Sequence, residues 1–301
     1  MKTQEYGVPA SASQAFGFVL QPWTKNTLKP GYRTRLFGVH ALACSSTSLA
    51  LPALAFIAAF VTLPHCAFAQ KQNLDRPAPY EASQGEREAR KLIDDIFHQR
   101  PASDAPTNGT LKMWDTDRKE REVRVRMQIS ETPTNWIHIY ETLPANGKQG
   151  DKLTITHTPA QPTRYMLTKA GETTATELSG NQTMVSFAGS DFWVADLGLE
   201  FLHWPKQRLV KKEMRYHKSS VMLESINPSP ATGAYARVDS WLTIDLPHSP
   251  VLAKAYDSSG KQIKEFTPED VERVEGKYQL HSIEMRNLKT KTKSVIEFAL
   301  Q

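Results

Sequence analysis

Cysteine is absent from the sequence beyond residue 66: both cysteines, Cys44 and Cys66, fall within the first 69 residues. Removing those residues excludes disulfides, thiol nucleophiles and Cys-ligated metal sites together. An excess of charge is also missing from the rest of the chain. Of 37 basic and 32 acidic residues, Lys2, Lys25, Lys29, Arg33, Arg35 and Glu5 lie before residue 70, which leaves 32 and 31. The pI of about 9.0 therefore belongs mainly to the leader and gives no support for nucleic-acid binding. No H-E-x-x-H pair and no G-x-S-x-G elbow occurs, and Gly189-Ser190-Asp191 lacks the flanking pattern of a nucleophile elbow. His138, His157, His203, His217, His248 and His281 are scattered without metal-ligand spacing. These absences argue against an enzyme and imply no cofactor and no metal.

A long uncharged apolar run occurs at 49–63, reading LALPALAFIAAFVTL. Lys25, Lys29, Arg33 and Arg35 precede it, and Ala67-Phe68-Ala69 follows, with small residues at the −3 and −1 positions. This is the arrangement of a secretory signal peptide cleaved after Ala69, so the expected location is the periplasm. The alternative is an uncleaved membrane anchor, although the run falls short of the roughly 20 apolar residues a spanning helix needs. The chain thus divides into a leader at 1–69, a flexible lead-in at 70–80 and a single domain at 81–301.

Within that domain the apolar period is first helical. Ala89, Leu92, Ile93, Ile96 and Phe97 form one stripe, predicting a helix over 83–99 with Ser83 as cap and Glu86 completing a capping box. From about residue 107 the period becomes two. Val123, Val125, Met127 and Ile129 alternate with Glu122, Arg124, Arg126 and Gln128, the pattern of an antiparallel strand with one dry face. Similar runs follow at 135–141, 152–158, 164–168, 173–178, 208–217, 221–226, 235–245, 251–256, 262–266, 278–286 and 294–300. Ala170-Gly171, Asp257-Ser-Ser-Gly260 and Glu275-Gly276 supply turns. The segment 187–205 breaks the rhythm with a cluster of aromatics and a short helical stretch. The expected fold is mainly β: about 11–12 strands in a strongly curved antiparallel sheet or unclosed barrel, since so wide a sheet must curl.

One ordered set of features is more specific. Gly189-Ser190-Asp191-Phe192 runs to Asp196-Leu197, and a charged strand from Arg208 to Arg215 precedes Val221-Met-Leu-Glu-Ser225. Next come Tyr235-Ala-Arg-Val-Asp-Ser-Trp241 and Ala255-Tyr-Asp-Ser-Ser-Gly-Lys-Gln-Ile-Lys264-Glu-Phe266. The set closes with Ile283-Glu-Met-Arg-Asn-Leu-Lys-Thr290 and Ile296-Glu-Phe298. This order resembles the LolA-like outer-membrane lipoprotein-sorting proteins over 81–300. The resemblance implies a half-barrel with helices over its concave face. It also implies carriage of lipoprotein or lipid acyl chains across the periplasm by a monomer, with an inner-membrane transporter as partner. A non-catalytic adaptor of a lipid-exporting transporter is the alternative.

The candidate groove or lid residues are Val123, Val125, Met127, Ile129, Phe192, Trp193, Leu197, Phe201 and Trp204. Each of the four strand positions equally suits a filled core. The aromatics either plug the core or guard a ligand. Asp191 and Asp196 could be imagined as a catalytic pair but are expected to cap a helix and carry surface charge, and Lys211-Lys212 to be a solvated strand face or turn, with contact to anionic lipid headgroups as the alternative.

Overall fold

The computed structural model describes residues 78–98, 106–144, 147–158, 161–245, 248–269, 271–274 and 277–299. The leader with its cleavage site and both cysteines, most of the lead-in, and the Glu275-Gly276 turn lie outside the described residues. The apolar stripe near the start forms α1 (Ala82–His98), which buries Ala89, Leu92, Ile93 and Ile96. It starts one residue before the expected cap. The Gly85 amide donates to Glu81 O at 2.7 Å, so Ser83 lies inside the first turn and does not cap it. Gly85 is required by packing, because a Cβ there would overlap the Leu209 carbonyl oxygen.

The two-residue periods become strands. In the first half these are β1 (Thr107–Trp114), β2 (Glu120–Glu131), β3 (Trp136–Thr142), β4 (Lys152–His157), β5 (Arg164–Thr168) and β6 (Thr176–Leu178). The second half contributes β7 (Lys206–Arg215), β8 (Lys218–Ile226), β9 (Arg237–Thr243), β10 (Pro250–Tyr256) and β11 (Gln262–Pro268). It ends with β12 (Val271–Val274), β13 (Lys277–Leu280), β14 (Ser282–Asn287) and β15 (Thr292–Phe298). Thirteen of them form one antiparallel sheet in the order β6-β5-β4-β3-β2-β1-β15-β14-β11-β10-β9-β8-β7. Two meanders are therefore stitched together by the pairing of β1 with β15, in which Leu111 faces Ile296. The edges β6 and β7 do not pair with each other, so the curved sheet stays unclosed.

The strand total exceeds the sequence expectation because β1 and β12 fall outside the expected runs and the 278–286 run is two elements. β13 pairs with β12 in a separate hairpin, and β14 returns to the main sheet beside β11. The backbone is redirected at His281, whose carbonyl accepts from the Phe298 amide at 2.8 Å. The 257–260 turn behaves as its residues dictate. Gly260 has φ +79°, and Asp257 Oδ1 accepts from the Ser259 and Lys261 amides at 2.9 and 3.0 Å.

The chain must travel from the β6 edge to the β7 edge, and it does so across the inner face of the sheet. This crossing contains a 3₁₀ turn at Gly180–Thr183, the short helix α2 (Val194–Leu197) and a second 3₁₀ turn at Glu200–His203. Successive strands tie it down. Tyr165 OH on β5 donates to Gly198 O at 3.3 Å, and Ser294 Oγ on β15 donates to Asp191 Oδ2 at 2.8 Å. Gln207 Nε2 on β7 donates to the Phe201 and Leu202 carbonyls at 3.1 and 2.9 Å. Helix α1 packs along β7, with the Tyr80 amide donating to Val210 O at 2.9 Å, and its Phe97 ring stacks on His203 at 4.4 Å. The helical pieces thus cover the concave face.

Candidate functional site

One buried cluster runs along the sheet's inner face, packed full in one half and with a small space left in the other. In the filled half, Val125 and Met127 of β2 join one buried cluster with Tyr140, Ile155 and Tyr165 of the neighbouring strands. Phe192, Leu197, Phe201 and Trp204 from the crossing segment enter the same cluster, and the half-buried Val123 and Trp193 pack against it. Ile129 is buried as well, but outside that cluster. Of these nine residues, Phe201 alone reaches the cavity described next.

That cavity, about 30 Å³, lies between the crossing segment and strands β9, β10, β11 and β14. It exists because the floor uses small side chains where the rest of the sheet uses large ones. Sheet register puts Val238, Ala255 and Lys264 on one rung, then Ser240, Ala253 and Phe266 on the next. Leu242 pairs with Pro250 on the third rung, and Met285 lies beside Phe266. From Val238 to Leu242 the strand advances about 13 Å at roughly 3.3 Å per residue. The roof is Leu199, Phe201 and Leu202. It turns at Gly198-Leu199: a Cβ at Gly198 would overlap the Tyr165 ring, and Leu199 holds a left-handed φ of +50°. The volume holds a water or two, since one water needs about 10–15 Å³. An acyl chain enters only if the roof moves.

One end of this apolar trough is charged. Lys264 Nζ lies 3.3 Å from Asp196 Oδ2 on α2 and donates to Asp191 O at 2.6 Å. The two side chains are 2% and 6% exposed. Asp196 Oδ2 also accepts the Trp193 amide at 2.7 Å, and Oδ1 accepts Tyr235 OH at 2.8 Å. Trp193 stacks on Tyr235 with centroids 4.5 Å apart, and Lys264 Nζ sits 3.5 Å from the Trp193 centroid. Burial pulls the Lys264 ammonium down to about 8, opposed by the Asp196 and Asp191 carboxylates. Burial, reinforced by the charge of Asp196 and the bond to it, pushes the Tyr235 phenol well above its usual value. The phenol stays protonated and remains a donor. Asp196 therefore does cap α2, as its sequence position suggests, but it is a buried ion-pair partner and not a surface charge. Asp191 has a further role. Its Oδ1 accepts from Thr292 Oγ1 at 2.6 Å, which fastens the crossing segment to β15.

Histidines that look scattered along the chain meet in space. His138 of β3 and His157 of β4 have ring centroids 5.1 Å apart, and His157 lies 6.2 Å from His203 on the second 3₁₀ turn. Thr163 Oγ1 bridges His157 Nδ1 at 3.3 Å and His203 Nε2 at 2.8 Å. Burial holds His138 and His203 down to about 4, and burial together with the two neighbouring imidazoles holds His157 well below its usual range. The three are neutral packing groups at the joint of sheet, roof and α1. Among the described residues, no group of three or more His, Cys, Asp or Glu side chains is arranged to hold a metal ion. On the outer strand β7, Lys211 pairs with Glu213 at 3.2 Å and Lys212 lies 5.8 Å from the Tyr80 ring centroid.

Sequence reasoning did not nominate the cavity floor. The available signal was the run of small residues at Ser240, Ala253 and Ala255 on otherwise bulky strands. Lys264 was a second signal, a lysine between apolar positions Ile263 and Phe266. Neither says which strands lie side by side.

No curated protein sequence matches the chain. A DUF1329 family protein from Desulfovibrio piger matches in structure with a TM-score of 0.56 at 15% identity, over 71% of this chain and 91% of that one. A domain from Vibrio parahaemolyticus, described as outer-membrane lipoprotein-sorting, matches with a TM-score of 0.56 at 16% identity, over 73% and 94%. A LolA superfamily protein from Nitrosomonas europaea is similar at 18% identity over 70% and 91%, with a TM-score of 0.49. The model of a family described as uncharacterized protein matches residues 139–300, more than half of the chain. The chain belongs to that family, and it shares its fold with the Desulfovibrio DUF1329 protein and the Vibrio lipoprotein-sorting domain.

Proposed function

We propose that this protein is a periplasmic carrier that takes up acyl chains, of lipoproteins or of lipids, beneath the crossing segment and moves them toward the outer membrane. The observation that carries this reading is the apolar trough of β9, β10, β11 and β14 beneath Leu199, Phe201 and Leu202 of the crossing segment. An acyl chain gains about 0.8 kcal/mol per CH₂ removed from water. Taking up that chain displaces Phe201 and Leu202 from the trough, so part of the gain is offset by their exposure. The balance is a reversible hold, which a carrier needs in order to release its cargo. The lipoprotein-sorting description of the Vibrio domain agrees with this reading. The export signal ending at Ala69 would deliver the domain to the compartment where it works as a monomer.

The small closed volume favours a second reading, a non-catalytic adaptor of a lipid-exporting inner-membrane transporter that carries no lipid itself. Native mass spectrometry and organic extraction of protein purified from the envelope separate the two. Co-purified acyl species, and displacement of a neutral fluorescent apolar probe by added lipid, are expected of a carrier. A protein that is free of lipid and does not bind the probe would be an adaptor. Sequencing the amino terminus of the same sample is expected to start at Gln70; an intact leader would mean an anchored protein.

A further inference from the structure

Among the described residues, Lys264 is the only cation lining the trough, and its counter-ion belongs to the roof. Lys264 is on β11, and Tyr235 lies two residues before β9, next to Ala236, whose amide donates to Tyr256 O of β10 at 2.8 Å, so both donors stay with the sheet when the roof moves. Asp196 and Trp193 leave with α2. Opening therefore strips Lys264 of the Asp196 carboxylate and the Trp193 ring together, and leaves an ammonium and a phenol OH at one end of an apolar trough. A buried charge left unpaired is costly, so the open state favours a ligand that brings an anion to that end.

The donors already fit one kind of anion. Asp196 presents two carboxylate oxygens, Oδ2 to Lys264 Nζ at 3.3 Å and Oδ1 to Tyr235 OH at 2.8 Å. The pair is thus spaced for the two oxygens of a planar carboxylate. The apolar rungs run away from it in one direction, through Ala253 and Phe266 toward Leu242 and Pro250. A head group at one end and a dry channel leading from it match an amphiphile with a carboxylate head and a single tail.

We propose that the ligand is a fatty carboxylate whose head replaces Asp196 on Lys264 and Tyr235, with its chain along β9 to β11. Asp196 is then a built-in stand-in for the ligand head, and it holds the roof shut until a competing carboxylate arrives. The inference rests on the carrier reading and narrows it. A lipoprotein anchor, whose acyl chains are esters and amides, has no anion to offer at that point.

The test uses the mature protein, delipidated, with a neutral naphthylamine probe displaced by dodecanoate, dodecan-1-ol or dodecyl phosphate. Wild type is expected to bind dodecanoate at least tenfold more tightly than the alcohol. In Lys264→Met that preference should fall to twofold or less while alcohol binding is kept, and in Lys264→Arg it should persist. Asp196→Asn removes the latch that every ligand must open, so dodecanoate and the alcohol are each expected to bind about tenfold more tightly than to wild type, with the preference for the acid kept. This gain remains informative if Lys264→Met fails to fold. Equal binding of acid and alcohol by wild type, or no gain in Asp196→Asn, overturns the inference and leaves the carrier reading standing. Tighter binding of dodecyl phosphate than of dodecanoate overturns the carboxylate assignment. Failure of the probe and all three ligands to bind refutes the carrier reading itself.

Discussion

Lys264 Nζ lies 3.3 Å from Asp196 Oδ2, and this contact between residues 68 apart in sequence joins the floor of the trough to its roof. Both groups are desolvated, so the pair contributes little net stability, yet removing one partner leaves a buried charge alone. Asp196→Ala is expected to cost about 3–5 kcal/mol in urea unfolding, and the double variant Asp196→Ala/Lys264→Met clearly less. Additive losses would mean that the pair is open in solution.

The histidine joint makes stability depend on pH. An imidazole that titrates at 6.5 when unfolded and near 4 in the fold takes up its proton more readily in the unfolded chain. Stability is therefore complete above pH 6.5 and falls as the pH drops toward 4, by up to about 1.4 kcal/mol per unit for each histidine. Asp239, Glu200 and Glu269 act in the opposite sense, because burial raises each carboxyl, that of Asp239 to about 6, so the histidine share is read from the difference between wild type and a histidine variant. Between pH 7.5 and 5.0 the urea midpoint should fall more for wild type than for His138→Leu. Equal changes would show that the cluster is hydrated in solution.

Gly198 sets the bend of the roof against Tyr165. Gly198→Ala places a methyl group into the ring and should destabilise the protein by about 1–3 kcal/mol, the usual cost of overpacking. Adding Tyr165→Leu should recover part of this loss. Thermal unfolding checks it, and an unchanged midpoint for Gly198→Ala would mean that the roof does not rest on β5.

Filling the trough tests where the chain sits. Ala253 is on the middle rung, and Ala253→Leu replaces empty space with three more carbons. Stability should fall by about 1–3 kcal/mol, the usual cost of overpacking, while probe binding falls at least tenfold. The matching change Val125→Leu, in the filled half on β2, should leave probe binding near the wild-type level if that half stays packed. Loss of binding there and retention in Ala253→Leu would move the chain to the other half of the sheet.

The two periodicities were legible in the residues themselves. The 3.6-residue stripe from Ala89 to Phe97 makes α1, and the alternation from Val123 to Ile129 makes β2, because each depends on neighbours within a few positions. The turn at Asp257 to Gly260 is equally local. What the residues left open was adjacency. His138, His157 and His203 look unrelated until β3, β4 and the second 3₁₀ turn come together, and Asp196 reads as a cap until β11 brings Lys264 beneath it. The split at His281 depends on Phe298, from the last strand. Local sequence determined helix, strands, turns and an expected export leader. Only the tertiary structure decided where in the core a small space remains and which carboxylate faces Lys264 beside it, because those choices depend on pairing between strands far apart in the chain.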